Sequence, residues 1–299
     1  MRYNKRPLTF EEQADLLLSR GLQADRERLI TTLQNVNYYR LSGYLYPYRQ
    51  PDDTFKKDTT FQTVWRHYTF DRRLRLIVMD AIERVEISVR TQLIYILTHK
   101  TGAFGYAQSK NFPGLNKLDH SRLIDTIKHE VARSKETFVI HFQQKYGDTH
   151  NVLPMWMSGE IMSFGCTLTI YNGVSDDIKK AVASYYKVPE KVLTSWLKTL
   201  NVIRNICAHH SRLWNRVLGV KPLIPRKNKY PEWHEPVQIT QERVFSILTI
   251  FSYLLEIIAP HTRWRNRLMD LFDEYPEISR LNMGFPEVWT DSVFWKSKS

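Results

Sequence analysis

Residues 61–99 read FQTVWRHYTFDRRLRLIVMDAIERVEISVRTQLIYILTH. Leu74, Val78, Ala81, Val85, Val89 and Leu93 recur at the spacing that lines one face of an α-helix. Leu76, Met79, Ile87 and Ile94 are apolar on the other side. A helix apolar on two sides is expected at the centre of its domain, here with a break near Asp71. Glu83, Glu86 and Arg90 lie at i, i+3 and i+7, one charged stripe on an otherwise apolar rod.

The same period extends outward. On the N-terminal side, Thr9 and Glu12 have the spacing of a capping box, and Gly21 ends the helix that follows. A second helix is predicted over 25–36, then an aromatic run over 38–48, then a polar loop over 49–60. On the C-terminal side, 100–120 reads as irregular, with Gly102, Gly105, Pro113 and Gly114. Helical patterns resume over 121–146. Another opens at Pro154 and ends at Phe164 and Gly165, and a short amphipathic one covers 176–186. Pro189 stands at a helix start, and Val192, Trp196, Leu200, Ile203 and Cys207 continue an apolar face. A proline-broken loop over 218–235 carries Arg226, Lys227 and Lys229, before helices over 241–258 and 261–273. There is no internal repeat and no strong strand alternation, so the fold class is all-α.

The chain has 299 residues, with 43 Lys and Arg against 31 Asp and Glu and a net charge of +12. A basic protein attracts polyanions. Charge alone leaves RNA, DNA and anionic membranes open as partners. The two cysteines, Cys166 and Cys207, imply neither a disulfide framework nor a zinc cluster. The N-terminus lacks the apolar stretch of a signal peptide, and no run of about 18 apolar residues is present. The expected location is the cytoplasm, with no membrane partner.

Arg204 carries the chemical argument. On a helical wheel it falls about 40° from Leu200, inside the apolar stripe. A charge there pairs with a carboxylate, faces a cleft, or meets a partner. These alternatives are compatible, and the Glu83 and Glu86 stripe is the natural counter-charge. Asn205, His209, Arg212 and Arg216, at i, i+4, i+7 and i+11, are expected to form one basic ridge. Arg204, Ala208, Ser211 and Asn215 form the ridge beside it. An ideal helix separates Arg204 from His209 by about 140°, a geometric reason to expect a second copy across a homodimer interface.

An Arg, Asn and His groove suits RNA, which carries its own nucleophile in the 2′-hydroxyl. His209 can transfer the proton, Arg204 can stabilise the developing charge, and Asn205 can orient the phosphate or the ring. No metal or other cofactor is required. Cys207, His209 and His210 do not share a helical face, so a metal site is not expected there; His210 is a bystander or an assistant to His209. Arg226, Lys227 and Lys229 read equally as phosphate contacts or as a solvated loop. Tyr38, Tyr39, Tyr44, Tyr46 and Tyr48, with Arg40 and Arg49, are expected mainly to pack, leaving one or two rings, Tyr39 first, to stack on RNA beside Arg40.

The residues Arg204, Asn205, Ile206, Cys207, Ala208 and His209 resemble the R-N-x-x-x-H form of the HEPN ribonuclease motif. The wider chain resembles the Abi-like family of abortive-infection proteins, the D and F type. The matching stretches include Asn37 through Tyr44, Asp71 with Leu74 and Arg75, Ile82 and Glu83 with Glu86 and Arg90, Pro154 through Trp156, Ser163 through Gly165, and Ser195 through Leu197. The match runs on through Arg204 and Asn205 to the segment from His209 to Asn215. The resemblance spans about residues 5–217 and implies a helical HEPN core. The whole chain is expected to be a HEPN-like helical bundle with N-terminal and C-terminal helical additions, divided at 1–58, 59–217 and 218–299. The resemblance further implies a homodimer and metal-independent endoribonuclease activity in antiphage defence, a toxin controlled by a bound RNA. The alternative it leaves is a non-catalytic RNA-binding module of a small noncoding RNA ribonucleoprotein.

Overall fold

The Thr9 capping box forms as its spacing predicts: Glu12 N–H donates to the Thr9 hydroxyl at 3.2 Å and Thr9 N–H to the Glu12 carboxylate at 2.8 Å. It opens α1 (Phe10–Ser19) in the computed structural model, which describes residue 4 and residues 6–296. Met1, Arg2, Tyr3 and Lys5, part of the stretch read above for a signal peptide, lie outside the described residues. Among the described residues every regular element is helical; the extended pairing consists of isolated bridges. The molecule is all-α. Contacts divide it into two units, Met1–Leu76 with Asn266–Ser279, and Ile77–Arg265 with Arg280–Ser299.

The first unit contains α1, α2 (Arg26–Asn35), α3 (Tyr38–Leu45) and the opening of α4 (Phe61–Thr101). Gly21 ends α1 at φ +93°, with Gly21 N–H on Leu18 O and Leu22 N–H on Leu17 O. This is the left-handed close that glycine adopts without steric penalty. Arg66 and Arg73 pair with Glu277 and Glu274, and Phe70 packs on Phe272 and Tyr275.

The expected break near Asp71 is absent, since α4 runs unbroken for 41 residues. Asp71 is fully buried, yet it is paired with Arg75 one turn on and accepts a 2.5 Å hydrogen bond from the Tyr44 hydroxyl. A satisfied carboxylate does not interrupt the backbone ladder.

The second unit holds the remainder of α4, then α5 (Lys117–Arg133), α6 (Thr137–Tyr146), α7 (Met155–Ile161), α8 (Phe164–Gly173), α9 (Asp176–Tyr185), α10 (Glu190–Ala208) and α11 (Val244–Ile258). The pattern read as one helix from Pro154 is two. Ser163 accepts from Cys166 N–H and caps α8, where the sequence reading placed a helix end. In α11, 11 of 15 residues are buried, so this helix is core. α12 (Trp264–Glu274) begins in this unit and supplies its later residues to the first.

The far side of α4 is covered only in part: Ile94 is buried and Met79 half-buried, but two of its apolar residues face outward. Leu76 is 59% exposed and Ile87 52%. Periodicity marks these residues as apolar, but only their surroundings decide whether anything covers them.

Candidate functional site

Helix α10 places the candidate residues. Val192, Leu193, Trp196, Leu197, Leu200, Ile203 and Cys207 are buried, which fixes the rotation of the helix. Trp196 anchors it further: its indole N–H donates to Leu223 O at 2.7 Å, and the ring packs on Trp233 at 5.2 Å between centroids. Trp233 in turn meets Tyr253 and Phe294. The 218–235 loop and the C-terminal segment therefore brace the helix that carries the motif.

At the last turns of α10, Arg204 is half-buried and Asn205 is exposed. An Arg204 N–H donates to the Asn205 side-chain oxygen at 3.4 Å. Glu86 on α4 is 16% exposed and forms an ion pair with Arg90 at 2.5 Å. Burial pushes the Glu86 carboxyl above the usual carboxylate range, and the nearby Arg90 and Arg204 guanidinium groups oppose that shift. The like charge of Glu83 adds to it, although the Glu83 side chain is exposed. Charge on Arg204 thus acts on Glu86, the carboxylate singled out by spacing, while the direct ion pair goes to Arg90.

Arg90, the partner of Glu86, also acts on Cys166, a group that helical spacing does not mark. Burial raises the Cys166 thiol to about 11; Glu130 adds to that shift and Arg90 opposes it. The Arg90 Nε–H is buried and has no hydrogen-bond partner. Gly159 lets α7 approach this part of α4, since a Cβ there would come within 2.2 Å of Ile94 Cδ1 and 3.7 Å of Arg90 Cδ. No sequence period connects positions 90, 130, 159 and 166, so packing alone brings them together.

The ridge expected from Asn205 to Arg216 does not form. The helix stops at Ala208. His209 is its C-cap, and His210 adopts the left-handed region at φ +56°. His210 N–H donates to Cys207 O at 3.0 Å and Ser211 N–H to Ile206 O at 2.9 Å, the paired closure of a Schellman motif. Arg212 and Arg216 follow in an irregular segment, where Arg216 Nε–H donates to Arg212 O at 2.7 Å. Leu213 and Trp214 are buried, and Asn215, at φ +54°, receives an Arg243 N–H at 2.9 Å. Arg243 is a positioning residue that lies 28 positions from its partner, with no local signal to announce it.

His209 and His210 are both exposed, as are Arg226, Lys227 and Lys229. Lys227 pairs with Glu235, and the 226–230 segment turns back on itself through hydrogen bonds to Arg226 O. Tyr39 and Arg40 belong to the first unit, whereas the other candidate residues belong to the second. In the tyrosine cluster Tyr44 is buried, and Tyr39 and Tyr46 are 77% and 70% exposed.

Chemically, the end of α10 offers an imidazole at the surface and a guanidinium partly withdrawn from water. The negative end of the helix dipole points the same way. A phosphate bound there must be held by side-chain cations. Among the described residues no group of three or more His, Cys, Asp or Glu is placed to hold a metal ion, and no helix is long and apolar enough to cross a membrane. A family model described as Abi-like protein matches residues 31–215, which spans both units and ends just past the Schellman closure. No curated protein and no solved structure gives a significant match to the chain.

Proposed function

This chain belongs to the Abi-like protein family, and we propose that it serves abortive-infection defence as an endoribonuclease that needs no metal ion. Membership in the family points to abortive-infection defence; the reaction is read from the end of α10. The observation that carries it is Arg204, half-buried and acting electrostatically on Glu86, five positions before an exposed His209 that caps the same helix.

In this reading the 2′-oxygen of a ribose attacks the adjacent phosphorus and its proton passes to a base. The phosphorus–O5′ bond breaks and the leaving oxygen takes a proton from an acid. The products are a 2′,3′-cyclic phosphate and a free 5′-hydroxyl. His209 supplies one of the two proton transfers, worth about 10²–10⁴ in rate for a well-placed group. Arg204 stabilises the charge on the non-bridging oxygens, where a preorganised cation is most effective. Asn205, already in contact with Arg204, orients the guanidinium or the phosphate. A homodimer would bring a second His209 and complete the acid–base pair. A small noncoding RNA held on the protein would restrain the toxic activity.

Purified protein is expected to cleave RNA in the presence of EDTA and to leave 2′,3′-cyclic phosphate ends. His209→Ala is expected to lower the rate by about 10²-fold or more. Activity that disappears with chelator and returns with Mg²⁺ overturns this reading. A discrete RNA that copurifies and stays intact favours the non-catalytic ribonucleoprotein instead; the open Tyr39 ring, suited to holding a base, is the feature that supports this second reading.

A further inference from the structure

The first unit carries a half-open cavity of about 700 Å³ beside Tyr39; Arg6, Phe10, Arg20, Tyr38 and Arg49 also contribute to its lining, and Arg204 and His209 do not. Its volume falls in the range of small-ligand pockets, about 300–1,000 Å³. Its chemistry is specific. Tyr38 and Tyr39 meet edge to face at 6.1 Å and 85°, and the Tyr39 ring remains 77% exposed. Tyr39 is anchored through its backbone, because its N–H donates to the Asn37 side chain at 2.8 Å in the cap of α3. The backbone that carries the ring is thus held in the helix cap, and most of the ring surface is unused.

The cations beside it are arranged by one carboxylate. Asp53 pairs with both Arg20 and Arg49. It stands at φ +70° in a turn closed by Gln50 N–H on Thr54 O at 2.8 Å and Asp53 N–H on Gln50 O at 3.1 Å. Aspartate is among the few residues with a side chain that enter this region, and here its carboxylate pairs with two guanidinium groups. Arg20 also donates to the Tyr38 hydroxyl at 3.4 Å. Three arginines line the cavity against the single carboxylate of Asp53; of these Arg6 is bound to Glu12. Each guanidinium carries five N–H donors, so one shared carboxylate leaves donors and positive charge for a further anion.

An exposed aromatic plane next to paired guanidinium groups matches a nucleotide: the base stacks on the ring and the phosphate takes the charge-assisted hydrogen bonds. We propose that this cavity is a nucleotide-binding site, with the base on Tyr39 and the phosphate on Arg20 and Arg49. The nucleotide is either free or one unpaired residue of an RNA strand. The site belongs to the other unit from Arg204 and His209, and it does not depend on whether that segment cleaves RNA.

The test is calorimetric titration of the full chain with ribonucleoside 5′-monophosphates and, separately, with a single-stranded 2′-O-methyl oligoribonucleotide, which lacks the free 2′-hydroxyl needed for cleavage. Saturable binding is expected. Tyr39→Ala weakens it by about 10-fold, while Tyr39→Phe retains it. The double change Arg20→Gln with Arg49→Gln weakens binding and flattens its salt dependence. Much tighter binding of the oligonucleotide assigns the strand as the source, and equal binding assigns the free nucleotide. If neither probe binds, or if Tyr39→Ala and the arginine double variant both bind as the parent does, the proposal is overturned. Cleavage of unmodified RNA, followed in parallel, separates the two readings: its absence counts against the nuclease and leaves the pocket standing.

Discussion

The Ser211 N–H reaches back over His210 to the Ile206 carbonyl at 2.9 Å, and this bond closes the helix that carries the candidate motif. His210 makes the closure possible by taking φ +56°. Its backbone conformation thus has a structural task whatever its imidazole does.

Replacement of His210 by Gly is expected to preserve that closure. Thermal stability should hold or rise by up to about 1 kcal/mol, because glycine enters the left-handed region freely. Val, whose branched Cβ opposes that region, should instead lower stability by about 1–2 kcal/mol. If His210→Gly retains RNA cleavage, the His210 side chain is dispensable; if cleavage disappears while the melting temperature holds, His210 is a chemical partner of His209.

The Tyr44, Asp71 and Arg75 cluster gives a graded stability prediction. Tyr44→Phe removes a donor to a fully buried carboxylate and should cost about 1–3 kcal/mol. Asp71→Ala strips the buried Arg75 of its ion-pair partner and should cost about 3–5 kcal/mol. Denaturant unfolding checks both, and equal small effects would show the cluster to be unimportant for folding.

Glu86 carries a pH prediction. Its folded-state pKa is raised, chiefly by burial. The stability it contributes is fully present below the unfolded value, about pH 4.3, and is lost as pH rises through the folded value. Glu86→Gln lacks this dependence, so its melting temperature relative to the parent should rise between about pH 4 and pH 7. In the cleavage assay the same change should lower the rate, since it removes the negative charge that acts on Arg204. A relative melting temperature that falls over this range contradicts the assignment.

Much of the helical framework was legible locally. The Thr9 and Glu12 spacing specified a capping box, and the apolar period from Leu74 to Leu93 specified a long helix, because each signal acts within a turn or two of itself. The Asp71 break was misread because its compensating partner Tyr44 is 27 positions away. The split between α7 and α8 was missed because an apolar run outweighed the Ser163 cap. At the candidate site, the proximity of Arg204 to Asn205 and the relation of Glu86 to Arg90 follow from helical spacing. The contribution of Arg243 does not, since its contact with Asn215 spans 28 positions.

Two helix ends show where local information stops. At α1 and α10 the chain leaves the helix through the same pair of backbone hydrogen bonds. Gly21 announces the first ending, because a residue without a Cβ has its own preference for the left-handed turn. His210 announces nothing, and the sequence pattern runs on to Arg216 as though the helix continued. Long-range packing makes the difference: Leu213 and Trp214 bury themselves, and Arg243 fastens Asn215. Those contacts draw the chain off the helix axis and hold His210 in a conformation that its own side chain disfavours. Residue chemistry and spacing thus specified an all-α protein with an Arg, Asn and His segment on one helix, while tertiary contacts decided that this segment ends the helix.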